Sequence, residues 1–313
     1  MRTILLFLSI SLVVACQKNK TDDKSKDQTE EVEISQKNYN GFLPATGSYY
    51  IKSNISADES AKRLLNIVNN NKSLGLVEHF EHHEMASSKG LALDQTHAIF
   101  FGNPKLGTPL IQKDQLIALD LPQKIVTFDL ERNSYVYRLS TSYLSKRYEV
   151  SFDNLSSMTK ALDKLSQKIA NNENRQMENP DIKVHQGIII QKSNKSFNQA
   201  IKAIRTKIKE LGSVKIMAEL DHQKNANSVD MQLRPTHVIM FGNPEVGIPL
   251  IQKNRSLAVE LPMKFLIYKD ENGDVQIAFN DMEFLLERYK TDLGENYGAK
   301  INQILSKIAS SAI

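Results

Sequence analysis

Apolar positions along this chain follow two periods, and the same succession of periods occurs twice. Tyr49-Tyr50-Ile51 and Ile188-Ile189-Ile190 are short apolar runs of strand type. Each is followed by an amphipathic stretch. Ala61, Leu64, Leu65 and Val68 share one helical face, as do Ile201, Ile204, Ile208 and Leu211. Ser56 with Glu59, and Ser196 with Gln199, predict where these helices start, because such pairs satisfy the first backbone N–H groups. Further strands are expected at Gly75 to His82 and Val214 to His222, then at Ala98 to Phe101 and Val238 to Phe241. Others follow at Lys124 to Phe128 and Lys264 to Tyr268, and at Tyr135 to Leu139 and Val275 to Phe279. The polar segments Met85 to Leu93 and Lys224 to Met231 read as loops. The closing helices carry Leu155, Met158, Leu162, Leu165 and Ile169, and then Ile301, Ile304, Leu305 and Ile308.

One stretch sets the register of this repetition. Phe101 to Lys113, FGNPKLGTPLIQK, recurs as Phe241 to Lys253, FGNPEVGIPLIQK, an offset of 241 − 101 = 140. The copies differ only at Lys105/Glu245, Leu106/Val246 and Thr108/Ile248. In each, the Asn can cap a helix and the following Pro suits its first position, where no N–H is needed. Pro109 is expected to limit that helix to a turn or two. Asp270-Glu271-Asn272-Gly273 is a hairpin signal, whereas its counterpart Glu131 to Ser134 has no Gly. Each unit reads β-α-β-β-(short α)-β-β-α. The expected fold class is α+β: two similar domains, residues 47–170 and 183–313, each a largely antiparallel sheet with helices packed on one face. The polar segment 171–182, with Pro180, is the expected linker.

The start of the chain belongs to neither unit. Arg2, the apolar run Ile4 to Val14 and the small Ala15 have the form of a secretory signal over residues 1–15, too short for a membrane span. Val13-Val14-Ala15-Cys16 resembles the lipobox of bacterial lipoproteins, which implies a lipidated Cys16 and attachment to a membrane of the cell envelope. Cys16 is the only cysteine of 313 residues, so no disulfide framework exists. Residues 16–46 are mostly polar and read as a disordered tether. With 40 basic and 36 acidic residues the chain is nearly balanced, and no basic block supports a nucleic-acid partner.

The order of motifs resembles the DUF302 family. An acid–histidine pair, Glu81-His82 or Asp221-His222, is followed by Thr96 or Thr236 before a strand. The F-G-N-P-x-x-G-x-P-L-x-Q block and a Leu-Pro before the next strand complete the pattern, over about residues 47–170 and 185–312. The resemblance implies a compact α+β domain, similar to small bacterial proteins that pair as dimers, so the two copies are expected to pair within one chain. It implies no activity, because the family is defined without one. Thr108 follows the family pattern, whereas Ile248 departs from it. Ile111 and Ile251 stand where Met is often found.

Candidate ligand-binding residues are His82, Gly102, Asn103, Pro104 and Thr108 in the first unit, with His222, Gly242, Asn243 and Pro244 in the second. Glycine admits a ligand close to backbone, and free N–H groups at a helix start favour an anion. Histidine titrates near neutrality and serves as base, acid or ligand. His79, His82 and His83 suggest a metal, but the second unit keeps only His222 of the three, so no metal site is expected. His97 and His237 are matched beside Thr96 and Thr236 at a strand start and read as structural. No nucleophile elbow, P-loop or zincin motif occurs. Catalytic residues and cofactors stay unknown. The leading expectation is an envelope lipoprotein that binds a small molecule or a protein partner. The alternatives are a hydrolase-type enzyme with His82 and His222 as acid–base residues, and a structural module.

Overall fold

The computed structural model describes residues 41–313, so the signal, Cys16 and most of the tether lie outside the described residues. The described part belongs to one compact unit. Its first half runs β1 (Ser48–Ser53), α1 (Ala57–Asn69), β2 (Gly75–Glu81), α2 (His82–Ser87), β3 (Thr96–Gly102), α3 (Pro104–Lys113), β4 (Gln123–Leu130), β5 (Asn133–Leu139), α4 (Thr141–Tyr148) and α5 (Phe152–Ala170). A short strand β6 (Arg175–Met177) leads to the second half. There follow β7 (Ile188–Ser193), α6 (Phe197–Glu210), β8 (Lys215–Asp221), α7 (His222–Asn227), β9 (Thr236–Gly242), α8 (Pro244–Lys253), β10 (Met263–Lys269), β11 (Val275–Asn280), α9 (Met282–Arg288) and α10 (Tyr297–Ala309). A 3-10 turn follows α3 at Gln115–Leu119, and another follows α8 at Arg255–Val259.

The fold is α+β, with two antiparallel sheets in the orders β2-β3-β4-β5-β1-β6 and β7-β11-β10-β9-β8. Apart from β6 they are the same sheet read in opposite directions. The helices start where their caps dictate. Ser56 Oγ accepts from Glu59 N–H at 3.2 Å, and Ser196 N–H donates to Gln199 Oε1 at 3.1 Å. β3 and β9 are buried at six of seven positions each, without the alternation of a one-faced strand. Both faces are therefore covered. α1 packs on β3 and β4, and the turn Arg255–Val259 of the second half packs on β3, β4 and β5. Reciprocally, Gln115–Leu119 packs on β9, β10 and β11.

The reciprocity extends to single bonds. Gln112 Nε2 donates to Gln232 O, and Gln252 Nε2, 140 positions on, donates to Ala92 O, 140 positions back from Gln232. Such exchange is the signature of an isologous contact. Charges are buried between the halves as well. Asp120 accepts from Arg147 at 2.9 Å and from Tyr148 at 2.7 Å, while Glu260 accepts from Arg288 at 2.9 Å and Tyr289 at 2.6 Å. Lys264 Nζ donates across to Leu119 O at 2.6 Å. Burial would raise the Asp120 carboxyl, but the Arg147 guanidinium overrides this and holds it below its usual range.

Several elements differ from the pattern-based expectation. α2 and α7 occupy segments that read as strand end and loop, because six residues are too few to display a helical period. α3 spans ten residues with Pro109 inside it, not one or two turns. Burial of Leu110 and Ile111, worth about 1.5–3 kcal/mol each, offsets the roughly 3 kcal/mol cost of an interior proline. α4 and α9 were not expected as separate helices. The linker is not free, because Arg175–Met177 pairs with β1 as an edge strand. The last residues assigned to the tether, 41–46, also pack into the fold. Arg255 N–H donates to Gly41 O at 2.7 Å, Leu43 N–H to Asn254 Oδ1 at 3.2 Å, and Ala45 is buried.

Candidate functional site

The acid–histidine pair and the Gly-Asn-Pro turn of one half lie at opposite ends of β3. Glu81 pairs with His97, and Gly75 pairs with Gly102. Five residues of strand, at about 3.4 Å each, separate those two points by roughly 17 Å. A site built from His82 and Asn103 together is thereby ruled out. The packing of the halves supplies the missing partner, since α2 packs against α8 and α7 against α3.

Two cavities result, and each is shared between the halves. The first, of about 150 Å³, is bounded by Gly242, Asn243, Pro244 and Ile248 of the second half and by His82 and Met85 of the first. Its remaining wall is almost wholly apolar, with Val246, Leu261, Met263, Met282, Ile301 and Ile304. Val246 and Ile304 are exposed and apolar at its edge. The second, of about 340 Å³, is bounded by Gly102, Asn103, Pro104 and Thr108 of the first half and by Glu219, His222 and Asn225 of the second. All nine candidate residues line one or other cavity. Each histidine faces the turn of the opposite repeat.

The histidines start α2 and α7, where the chain leaves the sheet edge and turns inward. His82 is 4% and His222 7% exposed. Their Nε2 atoms are buried without a hydrogen-bond partner among the described residues. Burial pushes both imidazoles down to about 4, so both are neutral at pH 7. The preceding acids do not assist them. Glu81 is exposed, and Asp221 accepts from Lys224 N–H at 2.9 Å as a helix cap.

The turns behave differently from the anion-site expectation. Asn103 Oδ1 accepts from Lys105 N–H at 2.9 Å, and Asn103 O accepts from Leu106 and Gly107 N–H at 3.0 and 2.9 Å. Pro104 has no N–H. Asn243 repeats this with Glu245, Val246 and Gly247. The first N–H groups of α3 and α8 are thus committed within the protein, and none remains for an anion. A Cβ at Gly102 would meet the Pro122 Cβ at 3.3 Å, a tight contact, whereas at Gly242 the matching distance to the Pro262 Cβ is 3.7 Å.

The cavities are not equivalent. Thr108 places a hydroxyl-bearing side chain in the second cavity, where Ile248 presents hydrocarbon to the first. Glu219 also lines the second cavity, held by Arg205 Nε at 2.9 Å and His237 Nε2 at 2.7 Å. Sequence patterns did not reveal Glu219, because its role follows from cross-strand neighbours.

Comparison with known proteins matches the model described as "Domain of unknown function DUF302" to residues 49–171 and 189–308. The curated proteins named "Fluoride-specific ion channel FluC 1" of Brucella suis and Brucella abortus are each 29% identical to this chain over 117 residues. That overlap is 37% of this chain and 46% and 43% of those proteins, so the chain spans less than half the length of the relatives it matches. Among solved structures, the one titled "Crystal structure of uncharacterized conserved protein DUF302 from Bacillus stearothermophilus" aligns with a TM-score of 0.38 and 14% identity. It covers 41% of this chain and 99% of that chain. No helix among the described residues is long and apolar enough to cross a membrane.

Proposed function

This chain belongs to the DUF302 family, with two copies of the family domain, and from that premise we propose that it is a two-site binding protein of the bacterial envelope, anchored through a lipidated Cys16. The observation that carries the binding role is the buried Nε2 of His82 and of His222. Among the described residues each lacks a partner, and each lines a cavity closed by the other repeat. A buried polar atom left unpaired costs about 1–3 kcal/mol, which a ligand's hydrogen bond offsets. The first cavity fits a small ligand with an apolar body and one polar group directed at His82. The second fits a more polar ligand, given Thr108, Glu219 and Asn225.

The enzyme reading has less support. Rings held neutral with a pKa of about 4 are weak bases, and no carboxylate lines the cavity of His82. Fluoride conduction is a property of the named relatives, and the matched portion is under half of each, so it is not carried over.

The binding role is tested with anilinonaphthalene sulfonate, which joins aromatic rings to one anionic group. One saturable site per chain is expected. Ile304→Trp, which fills the cavity mouth, should abolish it. His82→Phe should weaken it about tenfold, the loss of one hydrogen bond of roughly 1.4 kcal/mol. Unsaturable binding, or equal binding by the Ile304→Trp variant, overturns the reading. The anchor is tested by fractionation: Cys16→Ser should move the protein from the membrane fraction to the soluble one, and retention after a high-salt wash refutes it.

A further inference from the structure

A second cluster of ligating groups lies outside both cavities, on the sheet of the first half. His79 and Glu81 are two residues apart on β2, so their side chains emerge on the same face. His97 is the cross-strand partner of Glu81 in the β2–β3 register and therefore shares that face. One donor atom from each of His79, Glu81 and His97 lies within 4.8 Å of the other two. His79 Nε2 is 3.1 Å from His97 Nδ1. Two nitrogens bound to one tetrahedral zinc at about 2.0–2.1 Å sit roughly 3.3 Å apart, so the pair already has near-ligand spacing.

The surroundings suit a cation. His97 Nε2 is 3.1 Å from Gln95 Oε1, an acceptor, which makes Nε2 the donor and leaves the Nδ1 lone pair directed at His79. Such an outer partner fixes the tautomer of metal-ligating histidines. The Glu81 carboxylate has no partner among the described residues and does not cap α2, unlike Asp221 in the second half. The second half also shows what this position holds. Glu219 replaces His79, and its Oε2 lies 2.6 Å from Arg205 Nη2 and 2.7 Å from His237 Nε2. The counterpart of Arg205, at 205 − 140 = 65, is Leu65, so the first half has no cation at the equivalent helical position.

We propose that His79, Glu81 and His97 form a binding site for a divalent transition-metal ion of the zinc class, present in the first repeat and replaced by the Arg205 ion pair in the second. Two imidazoles and one carboxylate make a three-ligand set that leaves a fourth position to water. Sequence reasoning grouped His79 with His82 and His83 instead, but His82 leaves the strand and turns into the first cavity.

The test is titration of the full chain with Co²⁺, followed by visible absorption, then displacement with Zn²⁺. The expected result is one Co²⁺ per chain with a tetrahedral-type spectrum, displaced by one equivalent of Zn²⁺. Glu81→Gln and His79→Leu should each weaken binding by about tenfold or more. Glu219→Gln, in the second half, should leave it unchanged. Glu81 is exposed and unpaired, so its variant keeps the fold and carries the test even if His79→Leu is unstable. Absence of a Co²⁺ spectrum, or wild-type affinity in the Glu81→Gln variant, overturns the proposal.

Discussion

His222 shows how little a residue's type says until its surroundings are known. As a residue it is a neutral-pH titrator. Placed at the first position of α7 and buried against the turn of the other repeat, it is a neutral ring with a pKa of about 4. Between its ordinary value near 6.5 and about 4, the unfolded chain binds a proton that the native state excludes. Stability therefore falls as pH falls through that window, by about 1.4 kcal/mol per pH unit and roughly 3 kcal/mol in all. Above pH 6.5 this contribution is fully present. His222→Phe should flatten the urea-unfolding stability profile between pH 6.5 and 4 by that amount. An unchanged slope would show that His222 titrates alike in the native and unfolded states, and would overturn the reading of a buried neutral ring.

Among the elements, legibility tracked length and local chemistry. α1 and α6 are long enough to repeat their apolar face three times, and their Ser caps sit where the pattern placed them. α2 and α7 are one and a half turns long, and their identity as helices comes from packing against α8 and α3. The entries to β1 and β7 illustrate a constraint that spacing alone does not explain. Gly47 and Gly187 both have positive φ, +75° and +71°. A Cβ at Gly187 would lie 2.0 Å from Phe284 of α9, and one at Gly47 would lie 2.8 Å from Tyr143 of α4. Each glycine lets a strand start against a helix that no periodic signal announced. The hairpin without glycine is closed by Glu131, which takes φ +56° in the left-handed region at the steric cost of a side chain there.

At the scale of the whole molecule, the two repeats share one interior. Lys264 is buried where burial and the neighbouring Lys124 charge push it well below the usual lysine range, and its Nζ donates to Leu119 of the opposite half. Separated halves would expose this charge cluster, the apolar faces of β3 and β9, and half of each cavity. Expressed apart, residues 41–182 and 183–313 should therefore associate, with themselves or on mixing with each other, as read by sedimentation. Two stable monomeric fragments that ignore one another would show that the interface adds no net stability. Removing one partner of a buried ion pair typically costs about 3–5 kcal/mol, because the other charge is left uncompensated. Asp120→Asn should accordingly destabilise the full chain more than any single surface substitution.

The sequence by itself determined the duplication, the α+β class and the order of the long elements, and it singled out nine of the residues that line the cavities. Those features depend on local physics: period, cap and turn chemistry act between residues a few positions apart. The tertiary structure alone decided which histidine meets which turn. A strand of seven residues holds His82 and Asn103 far apart within a repeat, and only the exchange of α2 and α7 across the halves brings each to its opposite number. It also decided that His79, Glu81 and His97 share a face. Each of these rests on the register and packing of segments far apart in the chain, which no local pattern encodes.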